Sequence, residues 1–230
     1  MNNPTKPTVA VYRRGFLPLS ETFISDHINS LNRYNPVIIT EKILNNRETF
    51  EKTPHLLHGH EASRFSRIAS RLTGRYRALD TLLPCNSRSI VHAHFLQDGA
   101  NILPFTMRRK VPLIVTAHGY DATVSAREHA KRTEGLWYLA FKPLLSRYAN
   151  GVVCVSNWIK QCLVDNGYPS DKLRVIRLGI NVQSLPRPAP SHQRRGTLFV
   201  GRLVEKKGVD YLLDAWSNLP ASSRKDPLTI

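Results

Sequence analysis

Short β-branched and aliphatic runs recur along the 230-residue chain, separated by longer stretches whose apolar positions return every three or four residues. The runs Thr8–Tyr12, Pro36–Thr40, Ser89–Phe95, Pro112–Ala117, Gly151–Val155, Leu173–Arg177 and Thr197–Val200 read as strands. Each is continuously apolar rather than alternating, the pattern of a strand covered on both faces. The stretches 20–33, 61–83, 98–109, 129–149 and 156–166 read as helices. The last has Ser156 in position to cap its first turn and Gly167 just past its end. Strand and helix in repeated alternation predict an α/β class with a Rossmann-like, doubly wound parallel sheet.

The alternation breaks at 178–196, where Pro186, Pro188 and Pro190 fall in a polar stretch ending Arg194-Arg195-Gly196. That composition reads as a linker. The expected division is therefore one unit over 1–180, a linker over 181–196, and an incomplete second unit over 197–230. The second unit opens with a strand, turns through Gly201–Gly208, continues as a helix from Val209, and reaches Pro227-Leu228-Thr229-Ile230 as a further strand would begin. One strand and one helix cannot cover both faces of a sheet.

Composition narrows the picture. Hydrophobic residues make up 41% and charged residues 22%, enough apolar content for a packed core and too much for a disordered chain. Cys85, Cys154 and Cys162 are odd in number and widely spaced, so no disulfide framework is expected and a reducing, cytoplasmic setting is. Neither a signal-peptide apolar region nor a run of the ~20 apolar residues that span a bilayer is present in the sequence. A net charge of +16 favours an anionic partner: nucleic acid, an anionic membrane surface or a phosphorylated ligand. No recognised nucleic-acid module accompanies that charge, so no nucleic acid is expected.

Three histidines fall at predicted strand ends, where open α/β sheets bind their ligands. His92 and His94 are two apart and share one face of their strand. Their pattern fits a ligand-binding cleft, a buried structural pair or a metal site, although Asp98 does not stand where a metallohydrolase motif would continue. His118 precedes Gly119, and Asp121 three residues on either orients it, binds a hydroxyl, or caps the next helix. Arg202 and Lys207 lie between a strand and a helix N-terminus, where two cations and free N–H groups suit a diphosphate without a metal; a solvated basic turn is the alternative. The phosphate loop G-x-x-x-x-G-K-[ST] is absent. Gly15 follows the first strand and would let backbone approach a ligand. On the helix expected over 61–83, Arg64, Arg67, Arg71 and Arg75 fall within about 80° of one another at ~100° per residue. Beside them runs an apolar stripe of Phe65, Ile68, Leu72, Tyr76 and Leu79, the pattern of a helix lying on an anionic membrane or of a basic face over an ordinary core stripe.

These segments, in order, resemble glycosyltransferase family 4, the retaining group with the GT-B fold. Gly15-Phe16-Leu17-Pro18-Leu19-Ser20-Glu21-Thr22-Phe23-Ile24 looks like the first loop and helix of bacterial exopolysaccharide members of the colanic acid and amylovoran type. Val91–Phe95 and Pro112–Asp121 resemble the family's histidine segments, Val153–Ser156 and Val175–Asn181 its later strands, and Phe199–Trp216 the opening of its donor domain. The resemblance implies transfer of a sugar from a nucleotide-sugar donor to a saccharide or lipid-linked acceptor, with no metal cofactor. It assigns Arg202 and Lys207 to the donor diphosphate, His118 to the transferred sugar, and Gly15 to the loop near the donor phosphates. His92, His94 and Asp121 would then line the acceptor side. The basic helix would suit docking on the inner face of the plasma membrane. The family's E-x7-E element and base pocket would lie beyond Ile230, so this sequence is expected to be inactive alone, with a separate chain supplying the missing donor domain as one possibility. A non-catalytic acceptor- or membrane-binding module is the alternative expectation.

Overall fold

The computed structural model describes residues 6–16, 21–44, 55–57, 64–83, 88–186, 195–224 and 226–230. The chain divides into two units, Met1–Gly179 and Ile180–Ile230. The first unit begins with β1 (Thr8–Tyr12), β2 (Gly15–Phe16), α1 (Thr22–Asn29), β3 (Asn35–Thr40), β4 (Lys42–Ile43) and β5 (His55–Leu57). It continues through α2 (Arg64–Thr73), α3 (Arg77–Leu82), β6 (Ser89–His94), α4 (Leu96–Arg109) and β7 (Leu113–Ala117). The short helices α5 (Tyr120–Thr123) and α6 (Ala126–Ala130) lead into α7 (Thr133–Tyr148), β8 (Gly151–Cys154), α8 (Asn157–Asp165) and β9 (Leu173–Val175).

Seven strands form one sheet in the order β5-β3-β1-β6-β7-β8-β9. Every pairing in it is parallel. From β1 the chain first builds outward through β3 and β5, then crosses back to β6 and builds the other way. The carboxyl ends of β1 and β6 therefore flank the point where strand order reverses, the place at which such sheets leave a crevice. The small β2–β4 ladder, Gly15 opposite Lys42 and Phe16 opposite Ile43, extends the chain beyond the end of β1.

The continuous apolar runs at the centre of the large sheet do form doubly covered strands, whereas Thr197–Leu198 of the second unit is exposed. Val91, Ala93, Val115 and Ala117 are inaccessible to solvent, and Leu96, Ile102, Leu103 and Phe105 of α4 are equally buried. Each large side chain buried this way contributes about 1.5–3 kcal/mol. Gly99 is where α4 comes closest to the sheet: a methyl group there would sit 2.8 Å from Val115 Cγ2. At α8, Ser156 Oγ accepts from the Ile159 N–H, the cap expected from sequence.

Two helices depart from expectation. The segment expected as one helix over 61–83 is two, α2 and α3, because Gly74 takes φ +65 and a Cβ on it would lie 2.3 Å from Pro104 O. The segment expected over 129–149 is α6 followed by α7, with Gly135 pressed against the His129 carbonyl. In the second unit, β10 (Thr197–Leu198) and β11 (Leu228–Thr229) pair in parallel, and α9 (Val209–Ser217) lies between them in sequence. The strand expected to begin near Pro227 is thus formed.

Candidate functional site

The first unit gathers its polar groups at the reversal point. Arg13 directly follows β1, His92 and His94 end β6, and His118 directly follows β7. His94 Nδ1 and His118 Nε2 are 2.9 Å apart, and the two rings stack at 19° with centroids 5.2 Å apart. His92 stacks on His94 at 28° and shares a 2.7 Å hydrogen bond between its Nε2 and Thr116 Oγ1. Helix α1 supplies the outer wall. Phe23 and His27, one turn apart, face this group while Ile24 and Ile28 enter the core. Phe23 packs 4.8 Å from His118, and His27 meets His92 and His94 edge-on at 5.1 and 5.6 Å.

Arg13 braces the histidines from beside them. Its guanidinium donates to both carboxylate oxygens of Glu21 at 2.9 Å and to Asp98 Oδ2 at 2.8 Å. Asp98 also accepts from the Arg14 N–H. Burial disfavours the Arg13 charge, but Asp98 and Glu21 more than offset it and hold its pKa above the ordinary value. The same guanidinium lies 4.4 Å over the Phe95 ring, whose other neighbour is His118 at 4.7 Å. Phe95 adopts φ +74, a conformation a side chain of this size rarely accepts. The strain, of order 1–3 kcal/mol, is held by packing between Arg13 and His118.

Every histidine of the group is pushed toward the neutral form. Burial lowers His92 to about 3, assisted by His27 and His118. Burial lowers His118 to about 4, with Arg13 and His27 adding to the effect. His94 is driven well below its ordinary value by burial and then by His92, and His27 is lowered by burial. At neutral pH these imidazoles carry no charge, so each offers one N–H and one lone pair. Among the described residues, His94 Nε2 and His118 Nδ1 are buried without a hydrogen-bond partner.

Nitrogen atoms of His27, His92 and His94 lie within 4.8 Å of one another. Tetrahedral zinc, with nitrogens about 2.0–2.1 Å away, would hold its donors about 3.4 Å apart. The nitrogens of these three residues are thus spread more widely than a zinc ion would hold them.

The residues singled out from sequence fall into different places. His92, His94 and His118 come together as described. Asp121 is adjacent but faces inward: Oδ1 accepts from the His118 and Gly119 N–H groups, and Oδ2 from the Leu96 N–H. Burial pushes its pKa up against those three donors. Its carboxylate thus ties the end of β7 to the start of α4 instead of facing the crevice. Gly15 lies in β2, where a Cβ would meet Leu44 Cδ1 at 3.2 Å, so its small size also serves a side-chain contact. Arg202 and Lys207 belong to the second unit and are exposed, on either side of a tight turn ending at Gly208, φ +65, which opens α9.

The four-arginine stripe does not persist as one face. Arg71 turns inward and pairs with Glu41 at 2.6 Å, and Arg75 lies past the end of α2, exposed. Arg64 and Arg67 belong to α2, but their side chains lie outside the described residues. The apolar stripe on that helix is open, with Phe65 84% and Leu72 57% exposed. Sequence reasoning missed Arg13, Glu21, Phe23, His27 and Phe95. The available signal was topological: the residue after the first strand, and the inward face of the first helix, border the reversal point of any sheet in this order.

A parallel sheet in this order, with polar groups at its reversal point, defines a Rossmann-like ligand-binding domain. The sequence model of Glycosyltransferase Family 4 matches residues 45–184, and the chain belongs to that family. Among curated proteins it is 22% identical over 166 residues to an uncharacterized 41.2 kDa protein in the cps region of Klebsiella pneumoniae. It is 26% identical over 147 residues to an uncharacterized glycosyltransferase of Methanocaldococcus jannaschii. Those alignments cover 66% and 64% of this chain but 45% and 38% of the relatives, so the chain spans less than half their length. Among solved structures, the lipopolysaccharide outer core galactosyltransferase WaaB superposes with TM-score 0.61 at 14% identity, over 96% of this chain and 59% of that one. Anabaena HepE in complex with UDP and glucose gives 0.70 at 15%, over 93% and 58%. These likenesses place the fold in the GT-B group.

Proposed function

We propose that this chain carries the acceptor-side domain, and the opening of the donor-binding domain, of a retaining glycosyltransferase of polysaccharide biosynthesis. The donor is a nucleotide sugar and the acceptor a saccharide or a lipid-linked saccharide. One observation carries the reading: neutral His118, with Nδ1 buried and unpartnered, stands at the reversal point of the sheet within the stretch the family matches. A neutral imidazole there can hydrogen-bond a sugar hydroxyl without placing a cation beside the anomeric carbon. Arg202 and Lys207 take the donor diphosphate. Two cations ahead of a helix N-terminus neutralise the leaving group's charge, the role a metal fills elsewhere. The Klebsiella relative's place in a cps region supports the polysaccharide assignment.

Titration of UDP-glucose into the chain extended beyond Ile230 through a complete donor domain, followed by calorimetry, tests the clamp. A charge-assisted hydrogen bond is worth about 1.5–3 kcal/mol, so Arg202→Ala or Lys207→Ala should weaken binding by about tenfold or more. Equal affinity in both variants and the parent removes the assignment.

The open apolar face of α2 favours an additional membrane contact. Phe65, Ile68 and Leu72 are exposed, and Arg75 lies close by in sequence. No helix among the described residues is long and apolar enough to cross a bilayer, so the contact would be peripheral. Phosphatidylglycerol vesicles should co-sediment the chain in a salt-sensitive manner. Replacing Phe65 and Leu72 by serine should release it, and retention of that variant rejects the contact.

A further inference from the structure

We infer that His94 is a positioning residue for His118: its Nδ1–H donates to His118 Nε2 and fixes His118 in the tautomer that carries its proton on Nδ1. As an account of sugar recognition this rests on the reading of His118 given above; as a statement about the two rings it stands alone.

The distance and the nearly coplanar stack establish the contact. Both imidazoles are neutral, so a single proton lies between the two facing nitrogens, and two arrangements are available. In one, His118 donates through Nε2–H, and the remaining proton of His94 sits on Nε2. In the other, His94 donates through Nδ1–H, and the remaining proton of His118 sits on Nδ1. Both outer nitrogens are buried and unpartnered, so the choice is where to leave an orphan N–H and where to leave an orphan lone pair.

An unsatisfied N–H is the costlier orphan, and buried polar groups avoid it more strictly than they avoid an unused lone pair. His94 is 2% exposed, packed in the sheet between β1 and β7 and against the rings of His27 and His92. His118 follows the last residue of β7 and is partly exposed as a residue, although its Nδ1 is covered, and it stands at the end of the sheet where folds of this kind bind ligands. The orphan lone pair therefore belongs on His94 Nε2 and the orphan N–H on His118 Nδ1. A ligand hydroxyl or phosphate oxygen that accepts from His118 Nδ1 repays the unsatisfied donor. The ring is held for that partner by His94 on one edge and by Phe23 and Phe95 on its faces.

Long-range 1H–15N correlation spectra of the histidine rings read the tautomer directly, with His118 assigned by its loss in His118→Gln. In the parent chain at pH 7.5, His118 Nδ1 should show the protonated, pyrrole-type shift and Nε2 the lone-pair, pyridine-type shift. His94→Asn places an amide N–H close to the position of Nδ1 and should retain that pattern. His94→Leu fills similar volume without a donor, and His118 should revert toward the Nε2–H form that free histidine prefers. A purely structural role for His94 would leave the tautomer the same in the Leu and Asn variants. Pyrrole-type Nε2 in the parent, or an unchanged tautomer in His94→Leu, overturns the inference. The parent spectrum decides the matter even if the Leu variant fails to fold. Addition of UDP-glucose separates the two levels. Unmoved His118 shifts in an extended chain shown by calorimetry to bind UDP-glucose, with the predicted tautomer intact, would leave the positioning role standing and remove His118 from the donor site.

Discussion

The histidine stack should make the first unit acid-sensitive at a pH where most proteins are unaffected, and His92 is the residue through which to measure it. Its pKa falls from 6.5 in the unfolded chain to about 3 in the folded one, because burial, and then His27 and His118, oppose its charge. A depressed histidine leaves the folded state with fewer bound protons than the unfolded state between those two values. Stability is therefore complete above about pH 6.5 and is lost as pH falls toward the folded pKa. At about 1.36 kcal/mol per unit, His92 alone should cost about 2 kcal/mol by pH 5. His118, lowered to about 4, should add about as much. Asp98 and Asp121 act in the opposite sense, since burial raises both and the folded state takes up their protons more readily.

The difference between two chains isolates the histidine from those carboxylates. His92→Gln removes the titration, and its amide nitrogen reaches close to the position of Nε2, where the bond to Thr116 Oγ1 can be kept. Urea unfolding at pH 7.5 and pH 5, followed by tryptophan fluorescence, gives four free energies. The parent should lose about 2 kcal/mol more than the variant between the two pH values. Equal losses would falsify the claim that His92 is neutral because it is buried.

Three further substitutions test the frame around the site. Gly99→Ala should cost about 1–3 kcal/mol in urea unfolding, because the new methyl meets Val115 Cγ2 at 2.8 Å and α4 must lift from β7; an unchanged midpoint would show that the helix yields freely. Asp98→Ala leaves the buried Arg13 with Glu21 alone and strips the Arg14 N–H of its acceptor, so a loss of about 3–5 kcal/mol is expected, and a loss below about 1 would mean the pair is solvated. Ser156→Ala removes the cap on α8 and should lower stability by about 0.5–2 kcal/mol, with Ser156→Asp restoring it; failure of the aspartate to restore it would point to a packing role instead.

The central strands were legible because they are buried on both faces, which leaves an uninterrupted apolar run, and the observed ends of all the expected strands fall within two residues of the expected ones, the exposed Thr197–Leu198 included. The edge strand β5 and the two-residue β2 and β4 left no such run. They are set by pairing partners distant in sequence, His55 opposite Ile38 and Gly15 opposite Lys42. The break at Gly74 was hidden for a related reason. Arginine and apolar residues keep helical spacing from 64 to 79, and an isolated glycine within such a pattern is ordinarily tolerated. Only the approach of Pro104 O, from a different helix, shows that the position must turn. Local pattern records burial, and long-range contact decides where the pattern stops.

The site shows the same division at the level of chemistry. His92, His94 and His118 were visible as candidates because a polar residue at the end of an apolar strand is conspicuous. Asp121 was visible too, but sequence spacing could not separate a group that faces a ligand from one that satisfies backbone. The structure separates them by their partners: among the described residues Asp121 has three backbone donors, while His118 Nδ1 and His94 Nε2 have none. A buried group with unspent hydrogen-bonding capacity is the better candidate to receive a ligand under the proposal above, and a saturated one is better placed to hold backbone. Arg13 was overlooked because a cation after a strand looks like a solvated surface residue. Its charge is instead paired with Glu21 and Asp98, and its flat face holds Phe95 against His118. The charge that Arg13 keeps also disfavours protonation of His94 and His118, so the histidines beside it stay neutral hydrogen-bonding groups.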